Sequence, residues 1–201
     1  PLSNKKICMN DTGNPIDLVS GNKHQSITDF TTRGSHPLGL SRTYNSEQSL
    51  YAAKLGFGRF GKGWRTAYDS TAFYFGTAPE TPTNIHIFLP DGREAVFVAN
   101  SGVMKPAYYK KSTNAWAVPR TDVDESITLI GGTIWRYVGP DDTAMSFNLT
   151  GQLTEIRDRD GYSRSLAYDA AGRNTMVTDN LGRSIIFTYN SLGLVQTATD
   201  P

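Results

Sequence analysis

Stretches rich in Ala, Leu, Glu or Lys at helical spacing are missing from this sequence, which excludes a fold built mainly of helices. Cysteine occurs once, at Cys8, so neither an intrachain disulfide nor a cysteine-based zinc site can form, and the compartment stays open. No apolar run approaches the roughly 18 residues that a membrane helix needs. Residues 1–10 hold no charged-then-apolar leader, so no secretion signal is expected here. Net charge is nearly absent, with 20 basic against 19 acidic residues and no basic run, so nucleic acid is not an expected partner. What is abundant points to strands and turns: 19 Gly, 10 Pro, 10 Tyr and many Thr, Ser and Asn. At 201 residues the chain can bury a real core as one large β domain or two smaller ones.

The last third repeats itself. Phe147-Asn148-Leu149-Thr150-Gly151, Tyr168-Asp169-Ala170-Ala171-Gly172 and Tyr189-Asn190-Ser191-Leu192-Gly193 place an aromatic, Asn or Asp, and Gly in matching slots 21 residues apart. Asp158, Asp179 and Asp200 keep the same spacing, and Gly161 and Gly182 follow the first two at one offset. A fixed period means a copied supersecondary unit that must stack on its neighbours to bury an apolar face. In each copy a short strand carries a large apolar residue (Met145, Leu166, Phe187) two places before the aromatic, so both share one side of a sheet. A Gly-ending tight link follows, then a weaker second strand (Leu153 and Ile156, Asn174 and Val177, Val195 and Ala198), then a turn at Asp158 or Asp179. Two strands per copy make an antiparallel ribbon of hairpins, in which Leu166, Tyr168, Phe187 and Tyr189 are expected on the inner face.

Upstream, residues 1–13 are polar and expected to be flexible. Strands are expected at residues 16–19, 23–30, 38–44, 67–75, 84–89, 94–98, 107–110, 115–118, 126–130 and 133–138, with a turn at Ser20-Gly21-Asn22 and a hairpin turn at Pro90-Asp91-Gly92-Arg93. Residues 46–54 are the one segment with a helical reading. The fold class expected is therefore all-β: an open, curved sheet of antiparallel hairpin repeats at 140–201, about three in number with the last truncated, preceded by a β-rich domain at 14–139 whose sheet the repeats continue. The missing initiator Met, and an ending at a repeat boundary, lead us to expect a piece of a longer protein.

The repeats, with Tyr168-Asp169-Ala170-Ala171-Gly172-Arg173 as the clearest copy, resemble the tyrosine-aspartate repeats of the RHS family. Gly13-Asn14-Pro15-Ile16-Asp17, Thr28-Asp29-Phe30, Arg42-Thr43-Tyr44-Asn45-Ser46 and Gly61-Lys62-Gly63-Trp64 resemble, in order, the domain that precedes those repeats in bacterial RHS proteins. Departures are the Phe147-Asn148 and Tyr189-Asn190 pairs, and the missing Arg after Gly193; Asn makes the same turn contacts as Asp. The resemblance implies a bacterial, exported or cell-surface protein whose repeats wind into a shell around a C-terminal effector, often a toxin. Its partners would be the downstream repeats, that effector and components of a secretion machine.

Chemical readings fare worse. The glycine-rich run at 56–63 lacks a Gly-Lys-Ser or Gly-Lys-Thr ending, so a phosphate cradle gives way to a turn that packs its aromatics. His24, His36 and His86 have no metal-ligand spacing, and Asp158-Arg159-Asp160-Gly161 lacks the downstream ligands of a calcium loop. Asp122, Asp124 and Glu125 read as solvated loop charges rather than a glycosidase pair. No serine sits in a Gly-x-Ser-x-Gly elbow, and Cys8 has no nearby His. No enzyme, cofactor or metal is expected. The alternative is a surface adhesion or carbohydrate-binding module, with Trp64, Trp116 and Trp135 as its aromatic ligand surface. An open strand edge would also allow self-association.

Overall fold

The computed structural model describes residues 22–46, 58–118 and 123–201. Expectations for residues 1–21 with Cys8, for the helical reading beyond Ser46, for Gly56-Phe57 and for Asp122 lie outside these residues. Among the described residues, seventeen strands lie in four antiparallel sheets.

The first sheet orders β1 (His24–Thr31), β2 (Gly39–Asn45) and β3 (Trp64–Thr66). The second orders β4 (Thr71–Phe75), β5 (Asn84–Phe88), β6 (Glu94–Asn100) and β7 (Val103–Pro106). A small hairpin follows, of β8 (Tyr108–Lys110) and β9 (Ala115–Ala117). The strand expected over 67–75 is shortened at its start, because Ala67–Asp69 forms a 3-10 turn. Its cause is a capping box: Asp69 Oδ2 accepts from the Thr66 backbone N–H at 2.7 Å and the Thr66 hydroxyl at 2.9 Å. The sequence reading did not foresee β3 or β7, which are short and border glycines or proline.

The remaining eight strands form one meander in chain order: β10 (Ser126–Ile130), β11 (Ile134–Val138), β12 (Ala144–Asn148), β13 (Leu153–Arg157), β14 (Ser163–Tyr168), β15 (Asn174–Asp179), β16 (Ser184–Tyr189) and β17 (Val195–Thr199). The repeats thus continue a sheet begun by β10 and β11, not the sheets of β1 to β9. The boundary expected at 139/140 falls between two neighbours of this one sheet. Alternation sends one face inward: Trp135 and Tyr137, Met145 and Phe147, and Ile185 and Phe187 are buried, each pair two residues apart. Leu166, Tyr168, Phe187 and Tyr189 all turn to this side. The opposite side of the core comes from the upstream sheets, through Leu38, Leu40, Ile85, Ile87 and Phe97. Both parts share a single core, and among the described residues no strand pairs with β17 beyond β16.

Candidate functional site: the repeat wall and its seam

Each repeat closes its hairpins with one device. At the first link Gly151, Gly172 and Gly193 take φ of +86°, +71° and +74°, and their N–H groups donate to the carbonyls of Asn148, Asp169 and Asn190. The side-chain oxygen of that Asx residue accepts two backbone N–H bonds across the link, from Ala171 (3.0 Å) and Arg173 (2.9 Å) at Asp169 and from Leu192 and Leu194 (both 3.0 Å) at Asn190. The second turn repeats the backbone bond, with Gly161 and Gly182 at +90° and +83° bonding back to Asp158 and Asp179, and the side-chain bonds recur at Asp179, whose Oδ1 accepts from Leu181 and Arg183 N–H. Arg173 Nε donates to Asp169 at 2.7 Å, and these hydrogen bonds, led by the backbone N–H of Arg173, hold the Asp169 carboxyl below its usual range. Asp200 stands exposed after β17.

Pairing slips by one residue at three equivalent places. Phe147 faces Leu153 while Ser146 faces Glu155; Tyr168 faces Asn174 while Ala167 faces Met176; Tyr189 faces Val195 while Thr188 faces Thr197. Thr154, Thr175 and Gln196 are therefore bulge residues, which bend the strand and raise its twist. The Thr154 and Thr175 hydroxyls bond across to the Ser146 and Ala167 carbonyls. Beside the first two bulges a carbonyl takes a tyrosine hydroxyl as partner. The Tyr168 hydroxyl donates to Leu153 O at 2.7 Å, and the Tyr189 hydroxyl donates to Asn174 O. Each repeat tyrosine thus clasps the equivalent residue of the preceding copy. Burial raises the pKa of both phenols, that of Tyr189 to about 12, so they stay protonated donors at neutral pH.

The seam to the upstream segment runs along the turns. Ala72 N–H and the Thr71 hydroxyl both donate to Gly151 O at 2.9 Å, and Thr71 bridges to Gln152. Arg183 Nε donates to Asp179 Oδ2 at 2.8 Å, while its other nitrogens reach the Thr32 hydroxyl at 2.9 Å and the His36 carbonyl. The Asp179 side chain is fully buried. Burial alone would raise its pKa, yet hydrogen bonds from the Arg183 backbone and guanidinium and the Tyr162 hydroxyl hold it low. His36 stacks on Tyr162 at 4.9 Å and faces Asp160 at 3.4 Å. At the open end, Arg59 O accepts from Val195 N–H at 2.7 Å and its guanidinium donates to Gly172 O at 3.0 Å. The guanidinium carbons of Arg59 and Arg173 lie 5.8 and 4.8 Å from the Tyr189 ring centre, and Phe60 meets Phe187 edge-on.

Comparison with known families bears on this geometry. The family model described as RHS Repeat matches residues 147–179, and one described as a domain of unknown function, DUF6531, matches residues 13–97. Residues 147–179 carry an RHS repeat, and both matches are consistent with an RHS family protein. No curated protein matches the sequence. The RHS match runs from the aromatic of the first copy to the buried Asp179, and so spans a tyrosine clasp, two bulges and both kinds of turn.

The other candidate residues are dispersed. Trp64 in β3 tilts against Tyr44 with Arg42 over its ring, Trp116 lies on β9, and Trp135 is buried in β11 with its indole N–H donating to Pro79 O at 2.7 Å. The three lie in three different sheets. Asp158 is held by Arg164, and Asp160 caps Tyr162 N–H at 3.1 Å. Glu125, expected as a solvated loop charge, is instead buried against Arg93 and the Tyr137 hydroxyl. Among the described residues no three His, Cys, Asp or Glu side chains converge as metal ligands, and no helix is long and apolar enough to cross a membrane.

Proposed function

We propose that this chain is the opening stretch of an RHS-repeat shell, a non-enzymatic scaffold that encloses a C-terminal effector of the same, longer polypeptide for export or display at a bacterial cell surface. One observation carries the reading: an eight-stranded hairpin sheet is covered on one face by the upstream sheets and ends in an edge strand, β17, with no further strand paired to it among the described residues and a single backbone bond, from Val195 N–H to Arg59 O, outside the sheet. A shell needs a closed beginning and an edge that accepts the next hairpin. The tyrosine clasp supplies a rule for growth, since each added copy bonds the one before it. At an uncovered edge the same groups would pair with a second copy of the chain.

Limited proteolysis of the product of the whole reading frame tests this. The effector region should survive a protease concentration that destroys the same region expressed alone, and become sensitive once the wall is opened by mutation of the seam. Equal digestion of the free and wall-linked effector would exclude enclosure.

A further inference from the structure

Trp116 belongs to an aromatic row that the repeat wall does not use. The β8–β9 hairpin lies over the outer face of the second sheet, where its cross-strand pair Tyr109 and Trp116 meet at 5.4 Å. Trp116 then stands edge-on to His86 at 5.3 Å, and His86 lies 4.7 Å from Phe75. The core lies on the other face of this sheet, at Ile85, Ile87 and Phe97, so packing of the core does not account for these rings. Both ends of the row are bare, Phe75 at 49% and Tyr109 at 47% exposure. A single exposed ring carries no meaning, but four in succession with open ends make a surface.

Polar groups interrupt this surface. Asn84 is the direct cross-strand partner of Phe75. Glu94 Oε1 lies 2.6 Å from His86 Nδ1, while Oε2 has no hydrogen-bond partner among the described residues and the side chain is 32% exposed. At the far end the Tyr109 hydroxyl donates to Asn114 Oδ1.

We propose that this row binds a carbohydrate, with pyranose C–H faces against Phe75 and Tyr109 and sugar hydroxyls donating to Glu94 and Asn84. A sugar ring combines an apolar face with a rim of hydroxyls, which matches rings alternating with a free carboxylate oxygen and an amide. An apolar protein segment seated here would cover the Glu94 carboxylate without giving it a donor. The inference stands apart from the enclosure of an effector, because it uses the opposite face of a different sheet.

Titration of the whole chain with chitotetraose, cellotetraose and N-acetyllactosamine, to about 10 mM, by saturation-transfer NMR and tryptophan fluorescence tests it. At least one saccharide should bind. Phe75→Ser and Tyr109→Ser should each weaken that binding about tenfold, the scale expected for loss of one ring contact, without moving the unfolding midpoint. Glu94→Gln should weaken it and Trp64→Phe should not. Absence of binding by all three saccharides overturns the proposal. So does binding that survives Phe75→Ser and Tyr109→Ser, or a row that takes up an apolar dye but no sugar.

Discussion

Gly151 and Gly182 occupy the same left-handed region, at +86° and +83°, yet replacing them should have very different costs. A Cβ on Gly182 meets open space, so Gly182→Ala carries only the left-handed penalty, about 1–2 kcal/mol. A Cβ on Gly151 would lie 2.0 Å from the Ala72 carbonyl oxygen, which is fixed in β4 and cannot swing aside. The turn must then back away from β4 and lose the Ala72 N–H and Thr71 hydroxyl bonds to Gly151 O, each 2.9 Å long. At about 1 kcal/mol per bond, the total for Gly151→Ala comes to roughly 3–4 kcal/mol. Urea unfolding followed by tryptophan fluorescence reads the difference, and buried Trp135, bonded to Pro79 O, reports on the seam. Gly151→Ala should lose about 2 kcal/mol more than Gly182→Ala. Losses equal to within about 0.5 kcal/mol would refute the claim that the first link is pressed against the upstream sheet.

Three further outcomes follow from the same geometry. Tyr189→Phe should cost about 1 kcal/mol by removing the donor to the Asn174 carbonyl; calorimetry decides, and an unchanged stability would refute the clasp. Asn174 is buried on the inner face with Oδ1 unpartnered among the described residues, where the other copies hold Leu153 and Val195, so Asn174→Leu should stabilise by about 1 kcal/mol in the same assay. The Asp179 carboxyl sits below its unfolded value near 3.8, so the stability it contributes is full above that pH and falls away as pH drops through the lower folded pKa. Asp179→Asn should flatten the acid limb of stability against pH, and an unchanged limb would contradict the hydrogen-bonded site.

Much of the repeat was legible because its signals are local. The Asx and Gly slots specify turns by themselves, and alternation about Ile127 and Leu129 predicts β10 at 126–130, where the structure has it. The bulges were written less plainly. Leu153 and Ile156 are buried although three residues apart in one strand, as are Asn174 and Val177, and such spacing breaks the two-residue alternation unless an extra residue intervenes. The seam had no local signature at all. Arg183 reaching Thr32, and Val195 reaching Arg59, join residues far apart in the chain, and nothing around either residue names its partner. Glu125 misled for a related reason, since its burial depends on Arg93 arriving from another sheet.

A density map of the whole gene product, at a resolution that shows side chains, tests the central claim most directly. The account predicts further hairpins hydrogen-bonded to the outer edge of β17, with a tyrosine hydroxyl on the Val195 carbonyl and the effector inside the resulting wall. A β17 edge facing solvent, with the effector folded outside the repeats, would contradict it.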